Sequence, residues 1–185
     1  SIENITLQKS GILKMPKLRA FIYECLRICG PAPSAGFREI TVDNFEIDTR
    51  PFGGDKVYKV PKGTQIMINS TGVHHNPKFW IKDYDPINNE KHKNFDMRQI
   101  HFEFWLDEQG KFDILRNNTN FLAFSRGKRD CPGQSLAIKE LYIVLAMMFM
   151  TYKVNGPNGD NKFEIGTQVG SVVEATPDSI RLELR

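Results

Sequence analysis

The sequence predicts an α+β domain, mainly α with a small β-subdomain. Three observations lead to that expectation. Leu18, Phe21, Ile22, Cys25, Leu26 and Cys29 recur at the spacing of one helix face. A mostly apolar run from Leu136 to Met150 has the length of a core helix. Between them, Phe37 to Val42 and Val57 to Asn69 alternate like strands and are bounded by Gly, Pro and Asn. The 185 residues suffice for one domain with a real core. A 40% hydrophobic content with 13 Phe excludes a disordered chain. A net charge of +3 is too small to argue for a nucleic-acid partner. Three Cys without framework spacing read as unpaired thiols.

Taken in order, Ser1 to Lys14 is a polar lead-in. The first helix opens on Pro16, which suits a first turn, and closes at Gly30-Pro31. Glu24 and Arg27, three residues apart, lie on one side of it, away from the apolar stripe. Taken alone, they read as a solvated pair worth ~0.2–0.5 kcal/mol. Cys25 and Cys29 share the apolar phase, which points to core packing rather than a metal pair. Pro31 to Gly36 is a breaker cluster ahead of the first strand, and Phe45 to Asp48 is a short strand. Val57 to Asn69 reads as two strands joined by Pro61-Lys62-Gly63, turn chemistry that predicts a hairpin. His74 and His75 are adjacent and point in different directions, so they carry no metal assignment. Ile81 to Arg98 is polar without periodicity and reads as an exposed loop. A helix is expected from Pro132 to about Tyr152; the apolar run within it, Leu136 to Met150, is broken by Lys139-Glu140 and too short for a membrane span of ~20 residues. After the Asn155–Asp160 turn cluster, Lys162–Gln168 and Ile180–Leu184 alternate around Val169–Val173.

The chemistry concentrates in Phe124-Ser125-Arg126-Gly127-Lys128-Arg129-Asp130-Cys131-Pro132-Gly133. Proline is favoured at the first helical position, so Cys131 is expected at or near a helix N-cap. Unpaired N–H groups and the positive end of the helix dipole favour an anionic sulfur there. Gly127 and Gly133 let the backbone pass close to something flat, and Phe124 offers a ring to cover the sulfur. A lone cysteine at a helix start is otherwise just a small buried residue.

Phe124-x-x-Gly127-x-Arg129-x-Cys131-x-Gly133, preceded by Glu24-x-x-Arg27 on a helix, resembles the cytochrome P-450 family. The likeness covers only the family's C-terminal haem-binding portion, so residues 1–185 are expected to be a partial domain of that fold. The resemblance implies haem b with Cys131 as the axial thiolate on iron. It places Phe124 against the porphyrin, Arg129 and Arg38 towards the propionates, and Gly127 and Gly133 where room is needed. It implies that Glu24 and Arg27 are buried as a structural ion pair, completed by a third cation from the segment before the Cys loop. Phe104 stands where that arginine belongs, and Arg98 or Arg116 are the nearby substitutes. Ser34, Ala35, Gly36 and Phe37, and the terminal hairpin tip Gly170, Ser171 and Val172, are the implied substrate contacts.

The implied activity is that of a monooxygenase inserting one oxygen atom from O2 into a small apolar substrate. Its electrons come from a partner reductase that uses NADPH. Arg126, Lys128 and Lys139 form a cationic patch for an acidic partner, or simply a solubilising surface. Two alternatives stand beside it: a haem-thiolate isomerase or dehydratase, and a non-catalytic fragment that loads no haem. The family's acid–alcohol pair for protonating bound oxygen lies before the matched region. The isolated 185 residues are therefore expected to be inactive without the N-terminal part of the fold. Any membrane attachment, facing the cytosol, would come from an anchor in that part.

Overall fold

The computed structural model describes residues 15–32, 36–114, 119–156, 158, 167–169, 172–174 and 180–185. Helix α1 (Pro16–Ile28) opens with Pro16 in its first turn and stops where Cys29 caps it, the Cys29 N–H bonding back to the Cys25 carbonyl. Its buried residues are Ala20, Ile22, Tyr23, Glu24, Leu26 and Arg27. The buried face is thus rotated from the sequence stripe: Leu18, Phe21 and Cys25 are half-buried and Cys29 is exposed. Core packing of Cys29 is corrected. At the C-cap its backbone has left the helix, so the helical phase no longer applies.

Among the described residues, eight short strands form four antiparallel two-stranded ribbons. Strands β1 (Phe37–Glu39), β2 (Phe45–Asp48), β3 (Val57–Val60) and β4 (Gln65–Met67) are nested: β2 pairs with β3, and β1 pairs with β4 outside them. The expected hairpin between β3 and β4 does not form. The turn at Pro61-Lys62-Gly63 exists, with the Thr64 N–H bonding to the Pro61 carbonyl and Gly63 at φ +82°. Its amides go elsewhere, however: the Gly63 N–H donates to the Ile40 carbonyl at 2.7 Å, and the Ile40 N–H to Thr64 at 3.0 Å. The turn therefore hands the chain from the inner ribbon to the outer one. Local turn chemistry marks a reversal but does not select the partner strand.

Helix α2 (Ser70–His74) is capped by the Asn69 side chain. The expected exposed loop 81–98 contains the short helix α3 (Glu90–Lys93), and it also feeds the core: Met97 is buried, and Phe95 stacks on His101 at 4.3 Å. Helix α4 (Gln134–Thr151) buries Tyr142 and Ala146, packs against α1 and meets it edge-on through Phe21 and Phe149, 5.9 Å apart. Leu136, Val144, Met147 and Met150 on α4 are exposed. By length and composition alone α4 is apolar enough to cross a membrane.

Strand β5 (Tyr152–Asn155) pairs with β8 (Arg181–Leu184), while β6 (Thr167–Val169) pairs with β7 (Val172–Glu174). Thr167–Val169 and Arg181–Leu184 thus belong to different ribbons, while 162–166 lie outside the described residues. The common core joins α1 and α4 to Trp80, Met97, Phe104, Trp105 and Phe121. It is dominated by aromatic rings: Trp105 has Tyr23, Trp80 and Phe121 all within 5.6 Å, centroid to centroid.

Candidate functional site

The segment from Phe121 to Gln134 is a chain of turns, each closed by its own backbone bond. The Ser125 N–H donates to the Leu122 carbonyl, the Asp130 N–H to Gly127, and the Cys131 N–H to the Phe124 carbonyl at 2.8 Å. Gly127 sits at φ +85°, a conformation that a side chain would strain. The ordering is sequence-local: Phe124 and Cys131, the first and eighth residues of the motif, are tied directly. α4 starts later than expected. Its N-cap is Gly133, the Cys131 carbonyl accepts from the Gln134 N–H at 3.3 Å, and Pro132 lies in the preceding turn. The residue before a proline avoids the helical region, which moves the boundary forward.

Cys131 is a free, exposed thiol. A Cβ at Gly133 would meet its Sγ at 3.7 Å, an ordinary contact. Nothing lies within 4 Å of a Cβ built on Gly127. Phe124 is half-buried against Phe121, with ring centroids 6.4 Å apart. Arg129 is exposed, as are Arg126, Lys128 and Lys139. A single accessible soft donor with open space beside it suits an axial metal ligand better than a closed all-protein metal cage. Among the described residues no group of three or more His, Cys, Asp or Glu is placed to hold a metal ion. Beside Cys131, a cleft of about 580 Å³ separates α1 from the start of α4; Arg19, Tyr23, Ser135, Lys139 and Tyr142 line it. The Tyr142 hydroxyl is buried without a hydrogen-bond partner among the described residues, and burial pushes its pKa up.

The second constellation is fully buried. Arg27 is bidentate on Glu24, Nε to Oε2 at 2.9 Å and Nη2 to Oε1 at 2.7 Å. The remaining guanidinium donors go to the carbonyls of His74 (2.8 Å), Met97 (2.7 Å) and Gln99 (3.2 Å). Glu24 accepts two further bonds, from the His101 N–H at 2.8 Å and from the Trp105 indole Nε1–H at 2.7 Å. Phe104 is buried with its ring 5.5 Å from the Arg27 guanidinium carbon. The third partner is therefore a neutral indole one residue further on. Arg98 is exposed, with its N–H on Asp96; Arg116 lies outside the described residues. Sequence reading missed Trp105, His101 and the carbonyl acceptors. A tryptophan beside the unexpected Phe104 was the only available signal, since backbone carbonyls leave none.

His74 links these two parts. Its carbonyl accepts from Arg27, its ring stacks on Phe121 at 5.7 Å, and its Nε2 accepts the Leu122 N–H at 2.8 Å. Burial, then the Arg27 and His75 charges, holds its pKa down at about 4 against an ordinary 6.5. The neutral ring is the folded form, and the unfolded chain takes up the proton first. Stability from this group is thus fully present above about pH 6.5 and is lost as the pH falls towards 4. A loss of up to about 3 kcal/mol is expected between pH 7 and 4, read as a fall in urea midpoint that His74→Asn flattens. His75 turns away and bonds to the Ile28 carbonyl, so the two rings serve different partners. Cys25, half-buried beside Glu24, has its thiol pushed up to about 11 by burial.

Arg38 is exposed on β1 and donates to the Phe37 carbonyl; Phe37 is exposed, and Gly36 has φ +72°. Ser34, Ala35, Gly170 and Ser171 lie outside the described residues, and Val172 is described only as the start of β7, paired with Val169.

A family model described as Cytochrome P450 matches residues 3–182. Among curated relatives, cytochrome P450 2J3 of Rattus norvegicus is 32% identical over 168 residues, 91% of this chain and 28% of the relative. Cytochrome P450 monooxygenase ascG of Acremonium egyptiacum is 30% identical, covering 81% of this chain and 27% of the relative. Dimethylnonatriene synthase of Arabidopsis thaliana is 28% identical, covering 80% and 24%. The chain thus spans about a quarter of the length of the curated relatives it matches.

Proposed function

We propose that this chain, which belongs to the cytochrome P450 family, is the C-terminal, haem-ligand part of a haem-thiolate monooxygenase that oxidises a small apolar substrate. The observation that supports it most is the exposed Cys131 thiol, on a residue whose N–H is held by the Phe124 carbonyl. Cys131 would ligate the iron of haem b, Phe124 would lie on the sulfur side, and Arg129 and Arg38 would meet the propionates. When bound, a thiolate-ligated haem supplies O–O bond cleavage and the transfer of one oxygen atom to the substrate. The protein's part is to hold the sulfur in place. The α4 N-terminus contributes favourable dipole ends, and the turns from Leu122 to Gln134 fix the backbone.

With Phe104 where the third cation was expected, Glu24 still has its acceptors met, because the Trp105 indole fills the place. The exposed Arg126, Lys128 and Lys139 would meet an acidic, NADPH-dependent reductase. The rest of the active site, including the proton donors for bound oxygen, would come from an N-terminal part of the same fold. The test is reconstitution with haem followed by reduction under carbon monoxide. The expected result is the red-shifted Soret band of thiolate ligation, and a spectrum without it would reject the proposal.

A further inference from the structure

The Glu24–Arg27 pair reaches the Cys131 loop by two separate arms. From Glu24, the Oε2–Trp105 bond leads to the Trp105 ring, which meets Phe121 edge-on at 5.2 Å; Phe121 meets Phe124 at 6.4 Å, and the Phe124 carbonyl holds the Cys131 N–H. From Arg27, the Nη1–His74 carbonyl bond leads to the His74 ring, which stacks on Phe121 and accepts the Leu122 N–H. Both arms end on residues 121–122, at the root of the turns that carry the thiol. Trp105 and His74 are 0% and 3% exposed, so neither arm has water to replace a lost bond.

We infer that Trp105 and His74 are positioning residues that set the Cys131 loop in register with the buried ion pair, Trp105 through the indole N–H that occupies the third-partner place on Glu24. The inference rests on the haem-thiolate reading for its purpose but not for its geometry. Trp105→Phe keeps an aromatic ring and removes the donor. His74→Ala removes the Leu122 acceptor and leaves Trp105 untouched. Either change frees the 121–124 root and lets the thiol loop open locally while the helices stay folded.

The experiment is hydrogen exchange of the Cys131 backbone amide, which donates to the Phe124 carbonyl, measured residue by residue under native conditions. Trp105→Phe and His74→Ala are each expected to raise the Cys131 rate roughly tenfold. Ile22→Ala, a truncation in the same core outside both arms, is the control and is expected to leave the rate within about twofold. Equal acceleration in all three variants would reduce Trp105 and His74 to ordinary core residues, and acceleration in none would remove the coupling. Should Trp105→Phe fail to fold, His74→Ala decides alone. In the haem-reconstituted chain the same two variants should lose the thiolate-type band in favour of the unshifted one. If the wild-type chain shows no thiolate band, the haem reading fails, while the amide exchange rates still decide the positioning role.

Discussion

Arg27→Ala should cost about 3–5 kcal/mol of folding stability, the largest single-residue loss expected on this chain. The variant removes both bonds to Glu24 and strips the carbonyls of His74, Met97 and Gln99 of their donor, all in a site with no exposure. The Glu24 carboxylate keeps only the His101 and Trp105 N–H groups and is left buried with its charge uncompensated. Against the usual ~5–15 kcal/mol for a whole domain, that loss takes most of the margin. Arg27→Lys should recover less than half of it, because an ammonium cannot reproduce the two-pronged fit on Glu24 together with three divergent carbonyl bonds. Urea denaturation followed by tryptophan fluorescence measures both, since Trp80 and Trp105 lie in the affected core. A midpoint for Arg27→Ala close to wild type would show that the pair is dispensable.

Cys131→Ala should abolish thiolate-ligated haem binding while changing stability by no more than about 0.5 kcal/mol. The side chain is exposed, and among the described residues Cys131 bonds through its backbone, which alanine retains. Function and folding are thus separable at this position, whereas at Arg27 they are not. The check is paired: a haem titration followed by the reduced carbon monoxide spectrum, and a urea curve on the same preparation. Retention of the thiolate band would remove the proposed ligand. A large loss of stability would make Cys131 a packing residue instead.

The elements were legible in the sequence where their signal is local. The α1 start at Pro16, the α4 body and the β2, β3 and β4 segments all follow from period and breakers. So do the five spaced residues of the Cys loop. What was not legible is pairing. β3 goes to β2 and β8 to β5, because an alternating run shows that a strand exists but not which edge it will meet. The surroundings of Glu24 were half legible. Glu24 and Arg27 announce themselves by spacing, but Trp105 contributes through one N–H at a sequence distance of 81, and Met97 and Gln99 contribute only carbonyls. Cys29 misled because helical phase was extrapolated one residue past the helix end.

The indole on Glu24 has a further consequence. A guanidinium in its place would have left two positive charges facing one negative charge inside the protein. With Trp105 there, the enclosed cluster sums to zero. Dissolved ions find no net field to screen at that point. Whatever sensitivity the molecule has to ionic strength must then arise at its surface, in solvated pairs such as Arg50–Asp48, rather than at the junction that holds its helices together.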